Sequence, residues 1–325
     1  MKEEEIRPNE LFNTLLNLIV EDVDTYFSDA KYTNTNCPAC NCQGSFVFSK
    51  NKFDFDECTY CKTFYVNPRP DKKSLNKYYT ESKSTRFWAT TFYKATEKNR
   101  REKIWKPKAK LIYDKIMQYG KETKNIVDIG GGYGIFIEEF NKISSLTHLI
   151  IEPSHDLAQI CRSKNLFIVE KFLEDLEITD LNEGSKTFVS FELFEHLLSP
   201  KLFLETLYKV MDSNDLFIFT TLNGMGVDIQ SLWNDSKAIS PPMHLNFFNP
   251  KSVSKLLGAI GFEMLEASTP GKLDINIMEN NIDKIKDRFW KNFIDYSSAE
   301  EKDEMQKNIS DNLLSSHMMI VCKKV

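Results

Sequence analysis

Between residues 9 and 27 the apolar positions fall at Leu11, Phe12, Leu15, Leu16, Leu18, Ile19, Val23, Tyr26 and Phe27. Intervals of three and four predict a helix with a wide apolar face, which packs on another domain or a partner subunit. From Ile126 onward the pattern changes. Short apolar runs bounded by turn residues predict buried strands: Ile126-Val127 leading into Asp128, Leu149 to Ile151, Phe167 to Val169, Phe188 to Phe191, and Leu216 to Thr220. Helical segments alternate with them. One is Ile135 to Phe140; another starts at Ser199-Pro200, a cap followed by a residue suited to the first helical position; a third follows Asn249-Pro250. Phe262 to Ala267, after the turn at Gly261, predicts a sixth strand, and Met318 to Cys322 the last. A helical stretch from Asn276 to about Leu314 separates those two. Strands alternating with helices predict an α/β fold with a doubly wound sheet.

Five of the seven cysteines lie between residues 37 and 61. Cys37 and Cys40 form one C-x2-C knuckle, Cys58 and Cys61 a second, with 17 residues between them. Four thiolates on two tight turns suit a tetrahedral Zn(II). Phe46 to Phe48 and Phe53 to Phe55 predict a hairpin between the knuckles, as in a zinc ribbon. A closed site of four cysteines keeps no open coordination position, so the metal is expected to serve folding rather than chemistry. Cys42 falls outside the knuckle spacing and reads as a spare thiol. Cys161 and Cys322 read as isolated, packed side chains.

Composition narrows the function classes. A chain of 325 residues can bury a full core and suggests two or three domains. Its net charge of −5 speaks against a dedicated nucleic-acid binder. The N-terminus is acidic, and Asn13, Thr14 and Asn17 interrupt the apolar run from Leu11 to Val20. Neither a signal peptide nor a membrane span is expected, and the setting is read as cytoplasmic with reduced thiols. Residues 71–124 read as helices carrying 16 Lys and Arg against 6 Asp and Glu. A run of this kind is first a solvated basic face. Its sharper reading is a surface for phosphate-bearing substrates, with Arg100 and Arg101 as the first candidates.

The turn after Asp128 carries the chemistry. Gly130, Gly132 and Gly134 follow the first strand in the spacing D-x-G-x-G-x-G and open a helix. Such a turn brings backbone N–H groups close to a nucleotide-like ligand. Glu152 ends the second strand, where an acid can accept the hydroxyl protons of a ribose. The third glycine follows the second by two residues rather than three, which departs from the nicotinamide fingerprint. The spacing instead resembles motif I of the class I S-adenosylmethionine-dependent methyltransferases. Glu192-Leu193-Phe194-Glu195-His196 is similar to a signature after that family's fourth strand. The resemblance implies a seven-stranded Rossmann-like sheet preceded by a zinc ribbon and helical segments. It divides the chain into an N-terminal helix (1–34), the ribbon (35–70), a basic helical connector (71–122) and a methyltransferase domain (123–325) with a helical insertion at about 275–314.

His244 lies in Pro241-Pro242-Met243-His244-Leu245-Asn246-Phe247-Phe248, between the fifth strand and the next helix. It is expected at the C-terminal edge of the sheet, as is His196, and two histidines at one edge suggest proton transfer. A zinc ribbon, a methyltransferase core and a loop histidine, in that order, resemble the sugar C-methyltransferases acting on nucleotide-linked keto sugars, and their sister groups. A Tyr and a Glu of that pattern are here Pro241 and Met243. The resemblance implies S-adenosylmethionine and structural Zn(II) as cofactors and a small-molecule acceptor, a sugar or nucleotide-sugar precursor of a surface carbohydrate. It implies Gly130, Gly132 and Gly134 around the amino-acid end of the cofactor, Asp128 behind the loop and Glu152 on the ribose. Phe172 is the candidate adenine contact. His244 is the candidate base, with His196 or Glu195 orienting substrate or sharing the proton. C-, O- and N-transfer remain open alternatives, as does a macromolecular acceptor, RNA or protein, read by the ribbon and the basic connector.

Overall fold

The computed structural model describes residues 1–325. The chain forms two compact units, each assembled from separated stretches. One contains Met1–Asn99, Leu222–Val253 and Ser268–Met318; the other contains Arg100–Thr221, Ser254–Ala267 and Met319–Val325.

The second unit is built on a seven-stranded sheet. Its strands are β1 (Asn125–Ile129), β2 (Thr147–Ile151), β3 (Ile168–Val169), β4 (Lys186–Phe191), β5 (Leu216–Leu222), β6 (Phe262–Ser268) and β7 (His317–Lys324). Their order across the sheet is 6-7-5-4-1-2-3. β1 pairs in parallel with β2 and β4, and β2–β3 and β4–β5 are also parallel. Every residue of β1 and of β4 is buried, as expected for parallel strands covered on both faces. The helix Lys106–Tyr119 contributes Ala109, Ile112 and Ile116 to the core beside Ile126, Phe136, Phe140 and Ile218. All seven strands expected from the apolar runs are present, and each of the three expected helices forms. Ser199 caps the helix Pro200–Val210 by accepting from the Leu202 amide.

In the first unit the N-terminal helix, Asn9–Phe27, buries Leu15, Ile19, Val23 and Phe27. The ribbon hairpin pairs Gly44–Lys50 with Phe53–Cys58, and Phe64–Val66 adds a third strand. A fourth comes from far along the chain. Asn246–Phe247 pairs antiparallel with Phe64–Val66, and Phe247 stacks on Phe64 at 4.3 Å. The helices Asp274–Glu279, Arg288–Tyr296 and Ala299–Asp311 fill the expected helical stretch. No helix is long and apolar enough to cross a membrane.

Candidate active site

The glycine loop connects β1 to the helix Ile135–Phe140. Gly132 (φ +54°) and Gly134 (φ +70°) hold left-handed backbone, which side chains other than glycine adopt at a cost. Their surroundings differ. A Cβ on Gly134 would stand 2.5 Å from Leu166 and 3.1 Å from the Cys161 sulfur, whereas one on Gly132 would meet nothing within 4 Å. Gly134 is thus glycine for packing, and Gly132 borders open space. Glu152 ties the loop to the end of β2: its carboxylate accepts the Gly132 amide at 3.0 Å and the Ser154 amide at 2.9 Å. Burial pushes its acidity toward the neutral form, and those two amides oppose that shift. Asp128 is buried, and neither carboxylate oxygen has a hydrogen-bond partner. Burial first, and the charge of Glu152 second, push its pKa up to about 8. A buried carboxyl with two orphaned oxygens beside an open glycine loop suits a ligand carrying N–H donors or positive charge. Phe172, after β3, is 55% exposed.

Beyond β4 the chain turns sharply. Glu192 takes a left-handed conformation (φ +52°), and its amide donates to the Thr220 carbonyl of β5 at 3.0 Å. The Glu192 carboxylate accepts the Thr220 hydroxyl at 2.7 Å and the Lys108 ammonium at 3.3 Å. Lys108 is buried over the rings of Phe191 and Trp105, and burial lowers its pKa. Glu195 is buried in the next turn, where it accepts the Thr221 hydroxyl at 2.8 Å. Burial, and then the neighbouring Glu192, push its pKa up to about 8. His196 closes the same single helical turn, Phe194–His196, and is half-buried.

His244 belongs to the first unit, and the ribbon holds its loop. The Val66 amide donates to the Leu245 carbonyl at 2.9 Å, Asn249 to the Cys61 carbonyl at 2.8 Å, Asn51 to the Pro241 carbonyl at 3.2 Å and Tyr79 to the Met243 carbonyl at 3.2 Å. The His244 Nδ1 lies 2.6 Å from the Ala238 carbonyl. A carbonyl only accepts, so Nδ1 carries the hydrogen and the Nε2 of the neutral ring keeps its lone pair. In the ribbon, Cys37, Cys40, Cys58 and Cys61 gather their sulfurs within 4.8 Å of one another, with Cys37–Cys61, Cys40–Cys58 and Cys40–Cys61 at 3.5 Å, and no disulfide forms. A tetrahedral zinc with Zn–S bonds of about 2.3 Å spaces its sulfurs roughly 3.8 Å apart. The four cysteines fit such an ion. Cys42 lies outside the cluster, its thiol toward the Cys40 carbonyl.

A family model described as a methyltransferase domain matches residues 98–267, just over half of the chain. The chain belongs to this methyltransferase family. The solved structures similar to the methyltransferase include the plantazolicin methyltransferase BpumL in complex with SAH, at 13% identity and a TM-score of 0.48, covering 77% of this chain and 94% of that one. A SAM-dependent methyltransferase from Archaeoglobus fulgidus is 18% identical with a TM-score of 0.42, over 66% and 94% of the two chains. No curated protein matches in sequence.

Several side chains that shape the methyltransferase's glycine loop have no motif of their own. Cys161 donates to the Gly132 carbonyl at 3.2 Å, and Lys164 to the Tyr133 carbonyl at 2.8 Å. Arg101 bridges Glu138 and Glu139 at 2.9 and 2.8 Å, on the helix that the loop opens. That role differs from an open phosphate grip. Lys106, Lys108, Lys110 and Lys115 of the connector also pair with carboxylates. A single sequence hides these roles, because each partner lies on another element or one helical turn away.

Proposed function

We propose that this methyltransferase transfers the methyl group of S-adenosylmethionine to a small-molecule acceptor, a sugar or nucleotide-sugar precursor of a surface carbohydrate. The fixed tautomer of His244 carries the reading: with Nδ1 donated to Ala238, Nε2 is the nitrogen that takes a proton from the acceptor. The bound cofactor supplies an electrophilic methyl on a sulfonium. Gly130, Gly132 and Gly134 admit its amino-acid end, and the orphaned oxygens of Asp128 take up donors there. Glu152 accepts the ribose hydroxyls with the lone pairs not used by the loop amides, and the exposed ring of Phe172 covers the adenine. His196 orients the acceptor, and Glu195 holds the turn that carries His196 through Thr221. Zinc on Cys37, Cys40, Cys58 and Cys61 keeps the ribbon folded. The net charge of −5, with Arg101, Lys108 and Lys115 of the connector paired to carboxylates, favours this acceptor class over RNA.

A screen of nucleotide sugars with labelled methyl donor tests the acceptor, and absence of label in every keto sugar counts against it. Two variants separate the roles. Glu152→Ala is expected to weaken cofactor binding about tenfold or more with a smaller effect on turnover of the bound complex. His244→Ala is expected to do the reverse, lowering turnover by about 10²-fold or more. Unaltered turnover in the latter removes His244 as base.

A further inference from the structure

Glu192 is built at some cost. Its left-handed backbone is one that glycine would adopt freely, yet the chain places a carboxylate there. The hydroxyl of buried Thr220 and the buried ammonium of Lys108 both turn toward that carboxylate. Lys108 loses hydration by lying over Phe191 and Trp105, and Glu192 is its countercharge. The two acids of this turn have different surroundings. Glu195 is 2% exposed and directed at Thr221, whereas the Glu192 side chain is 38% exposed. Glu192 stands at the C-terminal end of β4, next in the sheet to β1, whose C-terminal end opens the glycine loop. Its neighbour Leu193 reaches that loop: a Cβ on Gly130 would lie 3.1 Å from the Leu193 side chain. Strain, a buried cation and a threonine thus converge on one solvent-facing carboxylate at the mouth of the loop.

We propose that Glu192 faces the methyl-transfer position, where its carboxylate accepts a hydrogen bond from the acceptor group and orients it toward the methyl. The inference rests on the glycine loop being the S-adenosylmethionine site. It concerns positioning, so it holds whether the methyl goes to an oxygen, to a nitrogen, or to the carbon of an enol whose hydroxyl donates to Glu192. Orientation of this kind lowers the barrier by holding the nucleophile in line with the carbon–sulfur bond.

The test needs no acceptor. Sinefungin carries an amine where the sulfonium carries its methyl, so a carboxylate facing that position forms a charge-assisted hydrogen bond to it. S-adenosylhomocysteine lacks the group. Calorimetry on the full chain is expected to show sinefungin bound roughly tenfold or more tightly than S-adenosylhomocysteine. Glu192→Gln is expected to remove that preference while S-adenosylhomocysteine affinity stays within about threefold. Because Glu192→Gln leaves Lys108 without its countercharge, the double variant Lys108→Met/Glu192→Gln is measured beside it, with the same loss expected. A sinefungin preference retained by either variant, or missing from the native protein, overturns the assignment of Glu192. Failure of the native protein to bind any of these ligands overturns the cofactor site itself.

Discussion

Asp228 and Asp274 put two carboxyl groups together in the interior of the first unit, both 1% exposed. Asp274 accepts the Ser315 hydroxyl at 2.6 Å, the Gln306 amide at 2.7 Å and the Ser316 backbone amide at 2.7 Å. One oxygen of Asp228 has no partner. Burial, and then the charge of Asp274, push the Asp228 pKa well above the ordinary carboxylate range. Asp228 therefore holds its proton more tightly than an ordinary carboxyl does. The folded state binds this proton more tightly than the unfolded chain does. Its contribution is complete below the unfolded pKa and is lost as pH rises toward the folded value, with a slope of at most about 1.4 kcal/mol per pH unit. Asp228→Asn stays neutral at every pH and lacks that slope. The melting temperature of the variant relative to the native protein is expected to rise between pH 5 and pH 8; a constant difference would mean that Asp228 does not titrate in this range. Nothing in the sequence singles out these residues. The glycines, Glu152 and the four cysteines are legible because their spacing is local, whereas Asp228 and Lys108 acquire meaning only from partners on other elements.

The strands of the large sheet were readable because parallel strands buried on both faces appear as unbroken apolar runs. Phe188 to Phe191 extends by only two residues, to β4, in the structure. Short elements were not readable. Asn246–Phe247 is two residues long, carries no periodicity, and pairs with a strand about 180 positions earlier. This pairing makes the ribbon the support of the His244 loop, together with Asn249 on the Cys61 carbonyl and Asn51 on Pro241. Removal of zinc is accordingly expected to act beyond the ribbon. Hydrogen exchange after chelation should accelerate at the amides of residues 44–66 and, with them, at residues 244–248. The amides of β1 should keep their protection. Acceleration confined to 44–66 would show that the loop is held without the metal-bound ribbon.

Across the whole molecule the chain leaves the first unit after Asn99, returns for Leu222–Val253, and returns again for Ser268–Met318. The beginning of the chain is consequently tied to its late helices: the Glu3 amide donates to Asn276 at 2.8 Å, and Asn280 donates to the Glu3 carboxylate at 3.0 Å. Buried Arg69 bonds Asn246, and Phe64 and Phe55 pack against Phe247. Reading the ribbon as a sequence-contiguous module captures its cysteines but not its core, because much of the apolar covering arrives from residues past 222. A fragment ending at Asn99 keeps all four clustered cysteines and loses that covering. The zinc-loaded fragment 1–99 is therefore expected to bind the metal yet expose apolar surface, giving strong ANS fluorescence and a broad thermal transition, while the full chain gives neither. A fragment that is ANS-silent and melts sharply would mean that the ribbon and N-terminal helices close a core by themselves, and that the late segments add the His244 loop to a structure already complete.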